Sequence, residues 1–103
     1  MRRARVLVGG VPAGELQEIS RGKLYVFRYL EGYTGSPVSL TMPVEAGEIY
    51  FESFPPYFDG VLPEGDMLEG LLRVAKIDRD DLFSQLLAVG RDLVGAVTIE
   101  EMP

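Results

Sequence analysis

The chain has 103 residues, 47% of them hydrophobic and 25% charged, which fits one globular domain and argues against disorder. Its apolar runs fall far short of the roughly 20 residues that span a bilayer, and the absence of cysteine and histidine removes disulfides, thiolate nucleophiles, Cys/His zinc sites and Ser-His-Asp triads. Sixteen acidic against ten basic residues give a net charge of −6, which works against direct nucleic-acid binding and suits a basic protein partner.

Met1-Arg2-Arg3-Ala4-Arg5 is basic like the start of a secretory leader, but the apolar stretch behind it stops at Gly9-Gly10. That is too short for a leader's apolar segment, so no export signal is read and a cytoplasmic address is expected. The three arginines either touch an acidic partner or solvate a strand end. Ala4, Val6 and Val8, alternating with Arg3, Arg5 and Leu7, predict a half-buried strand. Gly9-Gly10 predicts a two-residue hairpin turn, because both residues accept positive φ. The return strand runs from Val11 to Ile19. Pro12 lacks an N–H, so this strand should lie at an edge or begin after the proline.

After a turn at Ser20-Arg21-Gly22, Lys23 to Leu30 is the clearest strand. Tyr25, Phe27 and Tyr29 face one side and Leu24, Val26 and Leu30 the other, so both faces want cover and a central place is expected. Three aromatics on a strand face can stack bases, but no basic cluster accompanies them, and core packing is the expectation. A Gly/Pro-rich loop from Glu31 to Pro37 follows. Val38, Leu40 and Met42 then predict a strand that Pro43 closes, and Ala46-Gly47 turns the chain into a short strand from Ile49 to Phe51.

Pro55 and Pro56 suit a helix start, which predicts one helical turn within Tyr57 to Leu62. A second helix is expected from Pro63 to Ala75, with Met67, Leu68, Leu71, Leu72 and Ala75 inward. Gly70 costs it about 1 kcal/mol relative to alanine. Asp78 is expected to cap a third helix carrying Leu82, Phe83, Leu86 and Leu87, with Gly90 left-handed beyond its end. Leu93 to Ile99 reads as a strand buried on both faces, where Gly95 marks a bulge or a close backbone approach. Strands, then helices, then a closing strand give a single α+β domain over residues 1–103. Its mostly antiparallel sheet should have about five to six strands, with two to three helices packed against it.

The chemistry is sparse. Asp80 and Asp81 are helical neighbours and point in different directions; Glu100 and Glu101 end a strand and face opposite sides. Neither pair is read as catalytic, and the chain is read as a non-enzyme. Asp78, Asp80 and Asp81 resemble part of a calcium loop but lack its tight-turn glycine and its distant bidentate glutamate. The run from Gly9 to Gly14 has no following Lys-Ser/Thr and leads into a strand, so it is not a phosphate loop. No metal or cofactor is implied.

Phe54-Pro55-Pro56-Tyr57-Phe58-Asp59-Gly60-Val61-Leu62-Pro63-Glu64-Gly65 mixes aromatics, prolines and glycines, the composition of a rigid, shaped loop. Phe27-Arg28-Tyr29 and Gly35-Ser36-Pro37-Val38-Ser39-Leu40-Thr41-Met42-Pro43 precede it, and Leu86-Leu87-Ala88-Val89-Gly90-Arg91-Asp92-Leu93-Val94-Gly95-Ala96-Val97 follows it. In that order the four pieces resemble the N-terminal subdomain of the HipA-type serine/threonine kinase toxins. In the family this subdomain precedes a kinase core on a longer chain, whereas this sequence stops at Pro103, where the kinase would begin.

The resemblance therefore implies a small subunit like HipS of the tripartite HipBST toxin–antitoxin systems. There the detached subdomain binds and neutralises the kinase HipT, and the helix-turn-helix protein HipB supplies DNA binding. It implies partner contacts at Tyr57, Phe58, Asp59, Leu62, Pro63, Glu64, Gly65, Asp66, Met67 and Leu68, with no direct nucleic-acid or membrane contact. The family often has a bulky residue directly after Glu-Gly and an arginine soon after; here stand Asp66, Met67 and Leu68. Met67 is either an adaptable apolar anchor for the partner or, with Leu68, core filler beneath the helix. The alternative reading is a non-inhibitory assembly element of a longer HipA-type kinase.

Overall fold

Gly9 and Gly10 both take positive φ, 58° and 82°, a turn that side chains with a Cβ adopt poorly. The chain reverses there from β1 (Arg2–Val8) into β2 (Val11–Ser20), and a second turn leads to β3 (Leu24–Tyr29). With β4 (Glu48–Phe51) and β5 (Val97–Glu101) these form one antiparallel sheet in the order β4-β3-β2-β1-β5. Three helices, α1 (Pro56–Gly60), α2 (Gly65–Ala75) and α3 (Leu82–Val89), complete a single α+β domain in this computed structural model of residues 1–103. No helix is long and apolar enough to cross a membrane.

The proline in β2 does not push that strand to an edge: β2 is the middle strand and starts before Pro12. Pro12 pairs with Leu7 just past a register shift in β1, and β3 pairs with β2 only from Gly14 onward. On the β3 side, then, no ladder calls for the missing N–H.

One sheet face carries the core, with Ala4, Val6, Leu16, Tyr25, Phe27, Tyr29, Val97 and Ile99 all buried. β3 is an interior strand, yet only this aromatic face is covered by other elements. On the opposite face Val26 is buried between its cross-strand neighbours Gln17 and Tyr50, while Leu30 is exposed.

Residues 38–42 form a tight turn instead of a strand. Val38 and Met42 are buried, but Leu40 between them is 95% exposed, so the three do not share a face. The buried Tyr29 hydroxyl accepts from the Val38 N–H at 2.9 Å and donates to the Met42 carbonyl, pinning both ends inward. The closing strand is also shorter than the apolar run suggests. β5 begins at Val97, Val94 is 99% exposed, and Gly95 turns at φ 106° rather than bulging a ladder. β5 pairs with β1 alone and alternates buried with half-buried residues, so it is an edge strand with one inner face.

The helix ends differ from expectation in two places. Asp81, not Asp78, caps α3, accepting the Ser84 N–H at 3.2 Å. The Asp78 carbonyl instead accepts from the Asp81 N–H and from the Gln85 side chain. Gly90 is right-handed at φ −57°, and the left-handed residue is Lys76, which ends α2 at φ 56°. What Gly90 supplies is room: a Cβ there would lie 2.5 Å from the Ile99 carbonyl oxygen and 2.6 Å from the Ile99 Cβ. Since Gly90 also accepts the Ile99 N–H at 2.8 Å, the helix end cannot retreat without breaking that bond. Gly90→Ala is expected to lose about 2–3 kcal/mol by overpacking. A urea midpoint equal to that of the parent would disprove this account.

The largest departure concerns α2, none of whose residues is buried. Leu68, Leu71 and Leu72 are half-buried, Ala75 is exposed, and Met67 and Val74 are 77% and 81% exposed. Met67 is therefore not core filler. The apolar arc of this helix is wider than the flank the domain covers.

Candidate functional site

The loop preceding α2 is shaped by what anchors it. Pro55 is extended and Pro56 opens α1, where its missing N–H would be unpaired in any case. Phe54, Phe58 and Leu62 recur every fourth residue and all three point into the core. Phe54 meets Tyr25 edge-on with centroids 5.4 Å apart. Phe58 lies 6.3 Å from Phe27 and 5.2 Å, edge-on, from Tyr57.

These anchors divide the ten expected contact residues. Phe58 and Leu62 are buried and can shape the surface only from beneath. Tyr57, Pro63 and Leu68 are half-buried; burial pushes the Tyr57 hydroxyl above its ordinary pKa, so it stays a neutral donor at physiological pH. Asp59, Glu64, Gly65, Asp66 and Met67 are exposed and form a ridge from the end of α1 to the first turn of α2.

The ridge is acidic. Eight carboxylates and only three basic side chains fall within residues 52–81, which places most of the chain's net negative charge in this segment. None of the chain's six ion pairs involves Asp59, Glu64 or Asp66. Glu69, one turn further, is instead held by Arg79 at 2.6 and 2.7 Å. Three unpaired carboxylates and an exposed methionine give this surface both the charge and the apolar group with which a partner carrying basic and apolar groups would pair. Val74, exposed on the same side of α2 as Met67, belongs to that surface and was not expected from sequence. Its signal was there in the spacing, because Met67 and Val74 are two helical turns apart.

Elsewhere two carboxylates, Glu18 and Asp81, meet at the Arg2 guanidinium, where both are held in ion pairs. Asp81 is taken up by Arg2, Arg21 and Ser84. Partial burial alone would raise its pKa, but the hydrogen bonds from Arg2 and Ser84 outweigh burial and hold it below the usual carboxylate value. No three carboxylates gather to hold a metal ion, and in β5 Glu100 stands opposite Arg5 while Glu101 stands opposite Ala4. The largest cleft, about 700 Å³, lies between the β1–β2 turn and residues 30–36. Its only charged lining residue is Glu31, and it contains none of the ridge residues.

A family model described as HipA N-terminal domain matches residues 4–100. A protein of Haemophilus influenzae described as uncharacterized is 35% identical over 101 residues, an alignment that takes in 98% of this chain and 93% of that one. A solved structure, the N-terminal domain of HipA toxin, matches with a TM-score of 0.78 at 30% identity, covering 100% of this chain and 94% of that chain.

Proposed function

The chain belongs to the HipA N-terminal domain family, and from that premise we propose that it is an antitoxin-type subunit which binds a HipT-like serine/threonine kinase and holds it inactive. It acts in the cytoplasm, in a complex whose HipB-like helix-turn-helix member makes the DNA contacts. The observation that carries this reading is the ridge from Asp59 to Met67. Phe58 and Leu62 lock it from below, and its outer side chains are left without partners in the chain. A surface ordered before binding loses little conformational entropy when it docks. Unpaired carboxylates speed the approach of a basic partner, and Met67 adds an adaptable apolar contact. The match is to the N-terminal domain of HipA, which supports a role in binding rather than in catalysis. That a similar domain makes up 93% of the Haemophilus influenzae relative fits a subunit made apart from any kinase.

Co-expression with the HipT-like kinase encoded beside it tests the proposal. The expected result is relief of growth arrest and co-purification of the two chains. Met67→Asp should abolish both while leaving stability within about 0.5 kcal/mol, as for other exposed positions. Unchanged arrest with no co-purification would sink the idea. Co-purification without relief would make the chain an assembly element of the kinase.

A further inference from the structure

Gly70 stands in the middle of α2, and nothing within the chain accounts for it. Its φ is not positive, so the backbone there suits any residue, and an added Cβ would meet no atom within 4 Å. Glycine is nevertheless the least favourable helix-interior residue after proline. One turn to either side stand Met67 and Val74, 77% and 81% exposed. The three make a stripe of two apolar side chains with a notch between them, on the solvent side of the helix. Leu68 and Leu72 face the domain on the other side. A notch of this kind brings two helix backbones close, the side chain of one filling the gap in the ridge of the other.

The charges around the stripe are uneven. Glu64 and Asp66, with Asp59 nearby, stand unpaired at the N-terminal end of α2. At the other end stand Arg73 in the last turn and Lys76 at the C-cap, with Asp78 and Asp80 beyond the helix. We propose that the notch at Gly70 seats an amphipathic helix of the kinase partner. That helix places an apolar side chain between Met67 and Val74 and a lysine or arginine over Glu64 and Asp66. The inference rests on the kinase-binding reading and supplies its docking element. A helix fits because α2 offers side chains and no free strand edge. A second copy of this chain fits worse, since each copy carries a net charge of −6 and the two repel.

Calorimetric titration of the purified HipT-like kinase with this chain tests the seat. Gly70→Gln introduces a good helix former into open space, so its Tm should rise while affinity falls by about tenfold or more. The double substitution Glu64→Gln and Asp66→Asn should weaken binding at low salt and flatten the dependence of affinity on salt. Equal affinity of the parent and Gly70→Gln would overturn the seat, and would leave kinase binding standing if Met67→Asp still abolished it. A parent that does not bind the kinase would overturn both proposals. Sedimentation showing that the chain alone dimerises, and that Gly70→Gln dissociates the dimer, would give the notch to a second copy and overturn the kinase helix as its occupant.

Discussion

Phe58→Ala is expected to cost about 3–5 kcal/mol, the range for truncating a fully buried aromatic ring. A domain of this size is stable by only about 5–15 kcal/mol, so the variant should be near the limit of folding. Phe58 sits in α1, a five-residue helix too short to be stable on its own. Its backbone bonds include Asp59 N–H to the Pro55 carbonyl at 3.0 Å, Leu62 N–H to the Asp59 carbonyl at 3.2 Å and Val61 N–H to the Phe58 carbonyl at 3.3 Å, too small a set to hold an isolated turn. Packing of the ring against Phe27 and Tyr57 therefore holds the turn in place. Removing it should release the ridge from Asp59 to Asp66 as well as lower global stability. Phe58→Leu keeps most of the volume and should cost no more than about 1.5 kcal/mol. Urea unfolding of both variants, with kinase capture measured below the unfolding range, separates the two effects. A loss under about 1 kcal/mol for Phe58→Ala would mean that another contact anchors the loop.

The same packing explains which parts of the molecule were legible in the sequence. Tyr25, Phe27 and Tyr29 were readable because strand alternation is a local signal, and all three are core. Gly9-Gly10 was readable because its turn depends on two residues alone. Val38, Leu40 and Met42 carry the same alternation as a strand, yet the outcome there depends on a hydroxyl from β3 that reaches both ends of the segment. Asp81 displaced Asp78 as a cap, and it is Asp81 that meets Arg2, 79 positions earlier in the chain. No window of sequence contains that contact. For α2 the pattern shows how wide the apolar face is, but not how much of it the domain covers. At the candidate site Phe58 and Leu62 are expected from sequence as partner contacts, yet with Phe54 they recur every fourth residue and are buried anchors, so only the residues between and after them reach the surface. The position of Gly70 was visible, while the empty space around it was not.

Arg2→Leu is the second substitution expected to have a large effect, and it tests whether the N-terminal strand is held by charge. The Arg2 guanidinium donates to Glu18 at 2.8 Å, to Asp81 at 2.9 Å and to Ser84 at 2.7 Å, and lies 5.0 Å over the Phe83 ring. It thereby ties β1 to β2 and to the start of α3. Glu18 is 5% exposed and also accepts from the Tyr25 hydroxyl and the Gly22 N–H. Taking away the guanidinium leaves this buried carboxylate without its counter-charge, an imbalance worth roughly 3–5 kcal/mol in buried pairs. Because Arg2 is 29% exposed, the lower part of that range is expected. Combining Arg2→Leu with Glu18→Gln removes both charges while keeping an acceptor for Tyr25, and should recover most of the loss.

The dependence on pH follows from the direction of each shift. Asp81 titrates below its ordinary value of 3.8 in the folded chain, so its contribution is complete above that value and fades as acid takes the pH through the depressed one. The gap between the parent and Arg2→Leu should therefore be constant at neutral pH and narrow below about pH 4. Tyr25 behaves in the opposite sense: burial and then the Glu18 carboxylate push its hydroxyl from 10.0 to about 12. Its contribution is complete below pH 10.0 and is lost as the pH climbs toward 12, so base should destabilise the parent within that interval. A stability gap between the parent and Arg2→Leu that stays the same from pH 7 down to pH 2 would show that Arg2 acts through its contact with Phe83 and not through its charge.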